Sequence, residues 1–413
     1  MLEKELVPQL RFSEFDGEWN SSRLGNLGEF KGGGTPTTDN SEYWNGNIPW
    51  ISSSDVKEND ILNLNVTRYL SKKAIEESAT KIIPEGSILF VSRVGVGKLT
   101  VSEVKLCTSQ DFANLSPKKD SSYYIAYYFL SKNKLLHQYA QGTSIKGFTM
   151  GDLKSIPINI PSLPEQQKIA AFLTEVDAKL SQLTKKKVLL ENYKKGVMQQ
   201  IFSQEIRFKH NNSTKFGTRE VSEFPDWEEK KLGSLCNKAQ SGGTPKSTKK
   251  EFYNGDIPFL AISDMTYQGK YLTKTSKTIS KLGLDNSSSW LVPKDSLIYS
   301  MYASVGFVSI NKIEISTSQA VMNIMLKDSV LTEYMYYFLL DFKRYVSQFI
   351  ETGTQGNINA SIVKNFDIKV PSLKEQTKIA NFLSELDSKI EVLSITIENT
   401  ETFKKGLLQQ MFV

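Results

Sequence analysis

The sequence is written twice, and this duplication limits the possible folds more than any other feature. Pro161 to Phe202 return without a gap as Pro371 to Phe412, an offset of 210 residues (371 − 161), with 21 of 42 positions identical. Both copies open with Pro-Ser-Leu-x-Glu-Gln, at Pro161 to Gln166 and Pro371 to Gln376. Both close with Lys-Lys-Gly-x-x-Gln-Gln-x-Phe, at Lys194 to Phe202 and Lys404 to Phe412. Upstream the likeness is weaker but collinear, with an offset near 209. Gly33 to Pro36 matches Gly242 to Pro245, Asn47 to Trp50 matches Asp256 to Phe259, and Ser54-Asp55 matches Ser263-Asp264. Further on, Pro84 to Phe90 matches Pro293 to Tyr299, Thr108 to Gln110 matches Thr317 to Gln319, and Tyr127 to Leu130 matches Tyr336 to Leu339. The order is variable block, similar block, variable block, similar block. Two repeats are too few for a solenoid, so a duplicated two-domain body is expected.

The similar blocks read as long helices. Ser162 to Glu165 and Ser372 to Glu375 fit a capping box, in which serine accepts from an orphan amide and glutamate reaches back. Pro161 and Pro371 discourage any earlier helix. Apolar residues then recur at steps of three and four: Val176, Leu180, Leu183, Leu190, Val197 and Ile201, against Leu386, Ile390, Leu393, Ile397, Leu407 and Met411. Lys187 and Lys194 interrupt the first seam, and Thr400 and Lys404 the second. With no proline after the first turn, each helix can run about 40 residues, or roughly 60 Å. Two matched seams predict an antiparallel coiled coil with pseudo-two-fold symmetry, a rigid rod carrying two globular bodies.

The variable blocks read as mixed α and β. Each opens on a glycine-rich loop, at Gly32 to Pro36 and Gly242 to Pro245. Strand-like runs follow, at Ser87 to Val91 and Ser296 to Tyr299. Amphipathic helices are expected over Tyr123 to Gln138 and Leu331 to Phe349, with their aromatics in the core. A second glycine-polar loop comes after each, at Gln141 to Gly147 and Thr352 to Ile358. The expected domains are therefore 1–160 and 222–370, spacer helices 161–203 and 371–413, and a polar linker at 204–221.

Composition excludes several classes. With two histidines, His137 and His210, the chain is poorly supplied for histidine catalysis or a metal site. With two cysteines, Cys107 and Cys236, it has no disulfide framework and suits a reducing cytoplasm. No apolar run reaches the roughly 18 residues of a membrane span, and Met1 to Glu5 do not resemble a signal peptide. A net charge of +6 is compatible with a phosphate backbone as partner. Gly95 to Thr100 imitates the tail of a phosphate loop, but Leu follows Lys98 where a magnesium-binding hydroxyl belongs. Asn47-Ile48-Pro49-Trp50 approaches the motif that holds the target amine in amino-methyltransferases. Its first proline is Ile in both copies, and no glycine-rich cofactor loop follows a strand.

This doubled arrangement resembles the specificity subunits of type I restriction-modification systems, and the likeness covers nearly the whole chain. The resemblance implies two target-recognition domains, each reading one half of a bipartite, asymmetric site on double-stranded DNA. The paired helices would set the spacer and dock two modification (methyltransferase) subunits, with two restriction (translocase-nuclease) subunits joining them. No catalytic centre and no cofactor is expected in this chain; S-adenosylmethionine, ATP and magnesium would belong to its partners. A stand-alone DNA-modifying enzyme, a scaffold without DNA preference and an orphan specificity protein are the alternatives.

Placement in equivalent loops and chemical type nominate the DNA-contacting residues. In the first half they are Lys31, Thr35, Arg93, Lys98, Thr108, Gln110, Thr143, Ser144 and Lys146. In the second they are Thr244, Lys246, Tyr302, Thr317, Gln319, Thr354, Gln355 and Asn357. Lys31, Lys98, Lys146 and Lys246 are expected on phosphates. Arg93, Gln110, Gln319, Gln355 and Asn357 are expected on base edges, which their side chains can engage in bidentate fashion.

Overall fold

A computed structural model describes residues 6–140, 147–209, 216–217, 224–349 and 356–413. The chain divides into two compact units, Met1–Lys186 with Leu393–Val413, and Lys187–Val392. Two long helices, Leu163–Phe202 and Leu373–Gln410, each begin in one unit and end in the other.

In the first unit a four-stranded antiparallel sheet runs in the order Gly28–Gly32, Phe112–Pro117, Ile88–Val91, Leu99–Val101. A second sheet runs Arg68–Leu70, Ile48–Ile51, Leu106–Thr108, Ile82–Ile83, with its middle pair parallel. The second unit repeats the plan. Cys236–Ser241, Val321–Leu326, Leu297–Ser300, Val308–Asn311 and Tyr271–Leu272 form one sheet, and Lys277–Ile279, Tyr253–Leu260 and Ser316–Thr317 the other. The class is mixed α/β in both.

The helices that follow the strands differ from the sequence expectation. The first breaks into Ser122–Ser131 and Asn133–Tyr139, and the second passes from Thr332–Phe342 into a 3-10 stretch, Lys343–Phe349. Neither is amphipathic at its start, because every residue from Tyr124 to Leu130 and from Tyr334 to Leu339 is buried. Sheet and long helices cover opposite sides of these segments, so an apolar residue is wanted all round.

The repeated motif at the start of each long helix has a job that the capping box did not predict. Ser372 Oγ does accept from the Glu375 amide, at 3.4 Å. The Glu375 carboxylate, however, takes Arg207 in two bonds of 3.0 and 2.7 Å and the Trp227 indole N–H at 3.0 Å. Glu165 holds Arg11 (2.8 and 2.8 Å) and Trp19 (3.3 Å) in the same way. A planar guanidinium and a carboxylate match two bonds to two oxygens, so a clasp between distant segments displaces the local cap. The neighbouring glutamine ties the clasp to the domain. Gln166 Oε1 accepts from the Ser121 amide and Gln376 Oε1 from the Leu331 amide, at the starts of the buried helices.

Two of the lysines that interrupt the seams, Lys194 and Lys404, find carboxylates on the opposite helix, whereas Lys187 pairs with Glu191 along its own helix at 4.0 Å. In the first unit Lys404 pairs with Asp177 at 2.6 Å, and the Tyr127 hydroxyl donates to the same carboxylate at 2.8 Å. In the second unit Lys194 pairs with Asp387, to which Tyr337 also donates. Asp177 and Asp387 stand 14 residues after Leu163 and Leu373, and Lys194 and Lys404 stand 31 after them. Further along in the first unit, Leu407 and Met411 share the core with Ile169, Ala170 and Leu173. Beside Asp177, therefore, the end of one helix runs opposite to the start of the other. Each helix ends in an aromatic plug: Phe412 against Tyr124 (5.4 Å) and Trp19 (6.4 Å), and Phe202 against Phe338 (5.4 Å) and Tyr334 (5.9 Å).

Candidate nucleic-acid interface

In each unit, loops far apart in sequence are laced onto one edge of the sheets by backbone hydrogen bonds. In the first, the Gly34 amide donates to the Thr108 carbonyl (2.8 Å), joining the Gly-Gly-Thr-Pro loop to the strand end before Gln110. The Ser92 amide then donates to the Asp111 carbonyl (2.7 Å), and the Phe148 amide to the Ser92 carbonyl (3.1 Å). The second unit repeats the lacing. Gly243 donates to Thr317 (2.9 Å), Met301 to Ala320 (2.9 Å) and Ile358 to Met301 (3.1 Å).

Glycine is obligatory at the first of these joints. A Cβ on Gly33 would sit 2.0 Å from the Ser109 carbonyl oxygen, and one on Gly242 would sit 2.0 Å from that of Thr317. At the rim, Val94 (φ 43) and Ala303 (φ 58) occupy the left-handed region at equivalent positions of the turns Ser92 to Lys98 and Met301 to Phe307. Such backbone costs on the order of 1–3 kcal/mol and recurs where a loop is shaped for contact.

These joints gather most of the nominated residues. Thr35, Gln110 and Arg93 are exposed on the first rim, with Lys98 half-buried beside them, and Lys31 is exposed on the adjoining strand. Thr244, Lys246, Gln319 and Tyr302 are exposed in the second unit, and Asn357 is half-buried there. The Thr35 hydroxyl donates to the Gln110 amide oxygen, and Thr244 donates to Gln319 at 2.6 Å. Thr143, Ser144, Lys146, Thr354, Gln355 and His210 lie outside the described residues.

Two nominations are corrected. Thr108 and Thr317 are fully buried, and their hydroxyls accept from Asn114 (2.9 Å) and Asn323 (2.8 Å). They hold the loop from beneath and present no surface to a ligand.

The two decoy motifs also find structural places. Gly95 to Lys98 closes a hairpin between antiparallel strands, whereas a phosphate loop leads from strand to helix. Trp50 and Phe259 are buried within strands, and the Trp50 indole donates to the Gly34 carbonyl at 3.0 Å, so neither ring is free to stack on a base. Burial pushes both thiols, Cys107 and Cys236, up to about 11, so they are protonated at neutral pH and poor nucleophiles. Among the described residues no three His, Cys, Asp or Glu side chains gather as a metal site, and no helix is long and apolar enough to cross a membrane.

Two cations escaped the sequence reading. Arg68 lies 4.4 Å over Trp50 and bonds Asp55 at 2.5 Å, while Lys238 lies 3.4 Å over Trp290 beside the second glycine loop. The first follows from the cross-strand pairing of Trp50 with Arg68, and the second joins residues far apart in the chain, so no local spacing reveals either.

Comparison with known proteins decides the family. The Type I restriction modification DNA specificity domain matches residues 16–192 and again 225–400. The chain belongs to that family. It is similar to the type I restriction enzyme MjaIX specificity subunit of Methanocaldococcus jannaschii, 28% identical over 90% of this chain and 88% of that one. The HindI specificity subunit of Haemophilus influenzae is 25% identical over 79% of this chain and 85% of its own length. Among solved structures, the type I restriction-modification S subunit of M. genitalium superposes with a TM-score of 0.62 at 14% identity, covering 98% of this chain and 99% of the other. A chain from a structure of type I R-M complex assembly superposes at 0.56, with 17% identity over 95% and 97%. The matched segments each join one recognition domain to most of a long helix, so the family unit is the sequence repeat found above.

Proposed function

We propose that this chain is the non-catalytic specificity subunit of a type I restriction-modification complex. Each unit reads one half of a bipartite, asymmetric site on double-stranded DNA, and the paired helices set the spacer and dock the modification subunits. One observation carries the reading: the same loops meet in the same way in both units, while the side chains at their rims differ, as Arg93 against Tyr302 and Lys98 against Phe307. Two readers of one architecture with different rims suit two different half-sites. Among the nominated residues, Lys31, Lys98 and Lys246 would meet phosphates, and Arg93 and Tyr302 base edges. Two modification and two restriction subunits would complete the assembly in the cytoplasm, bringing S-adenosylmethionine, ATP and magnesium with them.

The test is methylation of a random-sequence plasmid library by this chain with its modification subunit, read at single-base resolution. A two-part asymmetric motif with a fixed gap, present only with this chain, is expected. One continuous motif, or none from an assembled complex, contradicts the proposal.

A further inference from the structure

Features common to both units cannot tell their half-sites apart. If the half-sites differ, as proposed above, whatever is built identically in the two rims contributes nothing to that difference and suits a group that both half-sites offer. The most nearly identical construction is the glycine loop with its glutamine. Gly33-Gly34-Thr35-Pro36 and Gly242-Gly243-Thr244-Pro245 share their sequence, their amide bond to a buried threonine carbonyl, and the asparagine beneath that threonine. They also share an exposed threonine whose hydroxyl donates to an exposed glutamine, Gln110 or Gln319.

The bond's direction matters. Reading adenine in bidentate fashion requires the amide oxygen as acceptor and the amide nitrogen as donor. Here the threonine hydroxyl takes one lone pair of that oxygen, and the two N–H donors are left to meet a ligand. Two free N–H donors suit an acceptor, and phosphodiester oxygens are acceptors that duplex DNA presents at every step whatever its sequence. By contrast, the turns beginning at Ser92 and Met301 share a left-handed residue at Val94 and Ala303, yet carry arginine in one unit and tyrosine in the other.

We infer that the Thr35–Gln110 and Thr244–Gln319 pairs are sequence-independent clamps on the phosphate backbone, and that discrimination resides in the divergent turns at Arg93 and Tyr302. This reassigns Gln110 and Gln319 from the base contacts that their chemical type suggests. It rests on the proposed bipartite reading.

The experiment compares the wild-type complex with Gln110→Ala/Gln319→Ala, in full-length chain assembled with its modification subunits. DNA affinity is measured over a range of salt, and the methylated motif is read from the random library. Because both glutamines are exposed, the variant should match the wild-type unfolding midpoint, which is measured first. The clamp predicts affinity falling roughly five-fold per pair on every sequence tested, from the loss of one modest hydrogen bond each. The motif should remain unchanged, and so should the salt slope, since a neutral amide releases no counterion. A motif relaxed at any base overturns the inference, as does unchanged affinity. A wild-type complex that methylates no two-part motif overturns the underlying functional reading instead, and that outcome is visible before any variant is made.

Discussion

The clasp at the start of each long helix is built from the same three residue types and sealed to different degrees. Arg207 and Glu375 in the second unit are 1% and 0% exposed, whereas Arg11 in the first is 13% exposed against a Glu165 of 2%. Arg11 also leans on the carbonyls of Gly17 and Asp16, at 2.5 and 2.9 Å, near the start of the described chain. Arg207 lies five residues beyond the end of the first long helix and binds the Pro225 carbonyl at 2.7 Å. The seam triads differ in the opposite sense. Lys404 and Asp177 in the first unit are 10% and 13% exposed, but Asp387 beside Lys194 in the second is 31% exposed. The lesson is that one motif fixes which groups meet, while burial decides how much the meeting is worth.

That comparison can be broken by substitution, beginning with the largest effect. Arg207→Met leaves Glu375 buried without its cation and is expected to cost about 3–5 kcal/mol. Arg11→Met, where water reaches the guanidinium, should cost about 1–3 kcal/mol. Chemical denaturation of the two variants decides, and equal losses would show that burial does not separate the clasps. The triads should rank the other way: Lys404→Met at about 2 kcal/mol, and Lys194→Met nearer 1 kcal/mol because its carboxylate is partly solvated.

A pH series sharpens the same contrast. Burial, and then the adjacent aspartate, raises Tyr127 and Tyr337 well above the ordinary tyrosine value of 10.0. The folded chain therefore keeps these protons where the unfolded chain releases them. Their contribution to stability is complete below that value and drains away as the pH climbs past it. Between about pH 9 and 11 the unfolding midpoint of Tyr127→Phe should fall less steeply than that of the wild type; an identical slope would exclude the phenol. The smallest effect concerns Gly196 and Gly406, which lie inside the long helices with open space where a Cβ would stand. Either one changed to alanine should stabilise the isolated chain by about 0.5–1 kcal/mol, read as a higher midpoint.

Much of this architecture was legible in the residues because duplication exposes what each half shares. The helix starts at Pro161 and Pro371, the seams, and the glycine loops could all be read from spacing. What spacing could not supply was long-range polar pairing. Glu165 and Glu375 read as local caps because their guanidinium partners are 154 and 168 residues away. Lys194 and Lys404 read as defects in a seam for the same reason. At the candidate interface, Thr108 and Thr317 had the right chemistry and an equivalent placement, yet a buried asparagine claims each hydroxyl. Residue type and loop position do not report burial, and burial separates a supporting residue from a contacting one.

The central claim, that each unit reads its own half-site, is tested most directly by single-base methylation profiles of Arg93→Ala and Tyr302→Ala side by side. The account predicts that each substitution relaxes the motif in one half only, a different half for each, with the gap and the other half unchanged. If either substitution blurs both halves together, or neither alters the motif, the two units do not read separately through these turns and the account is contradicted.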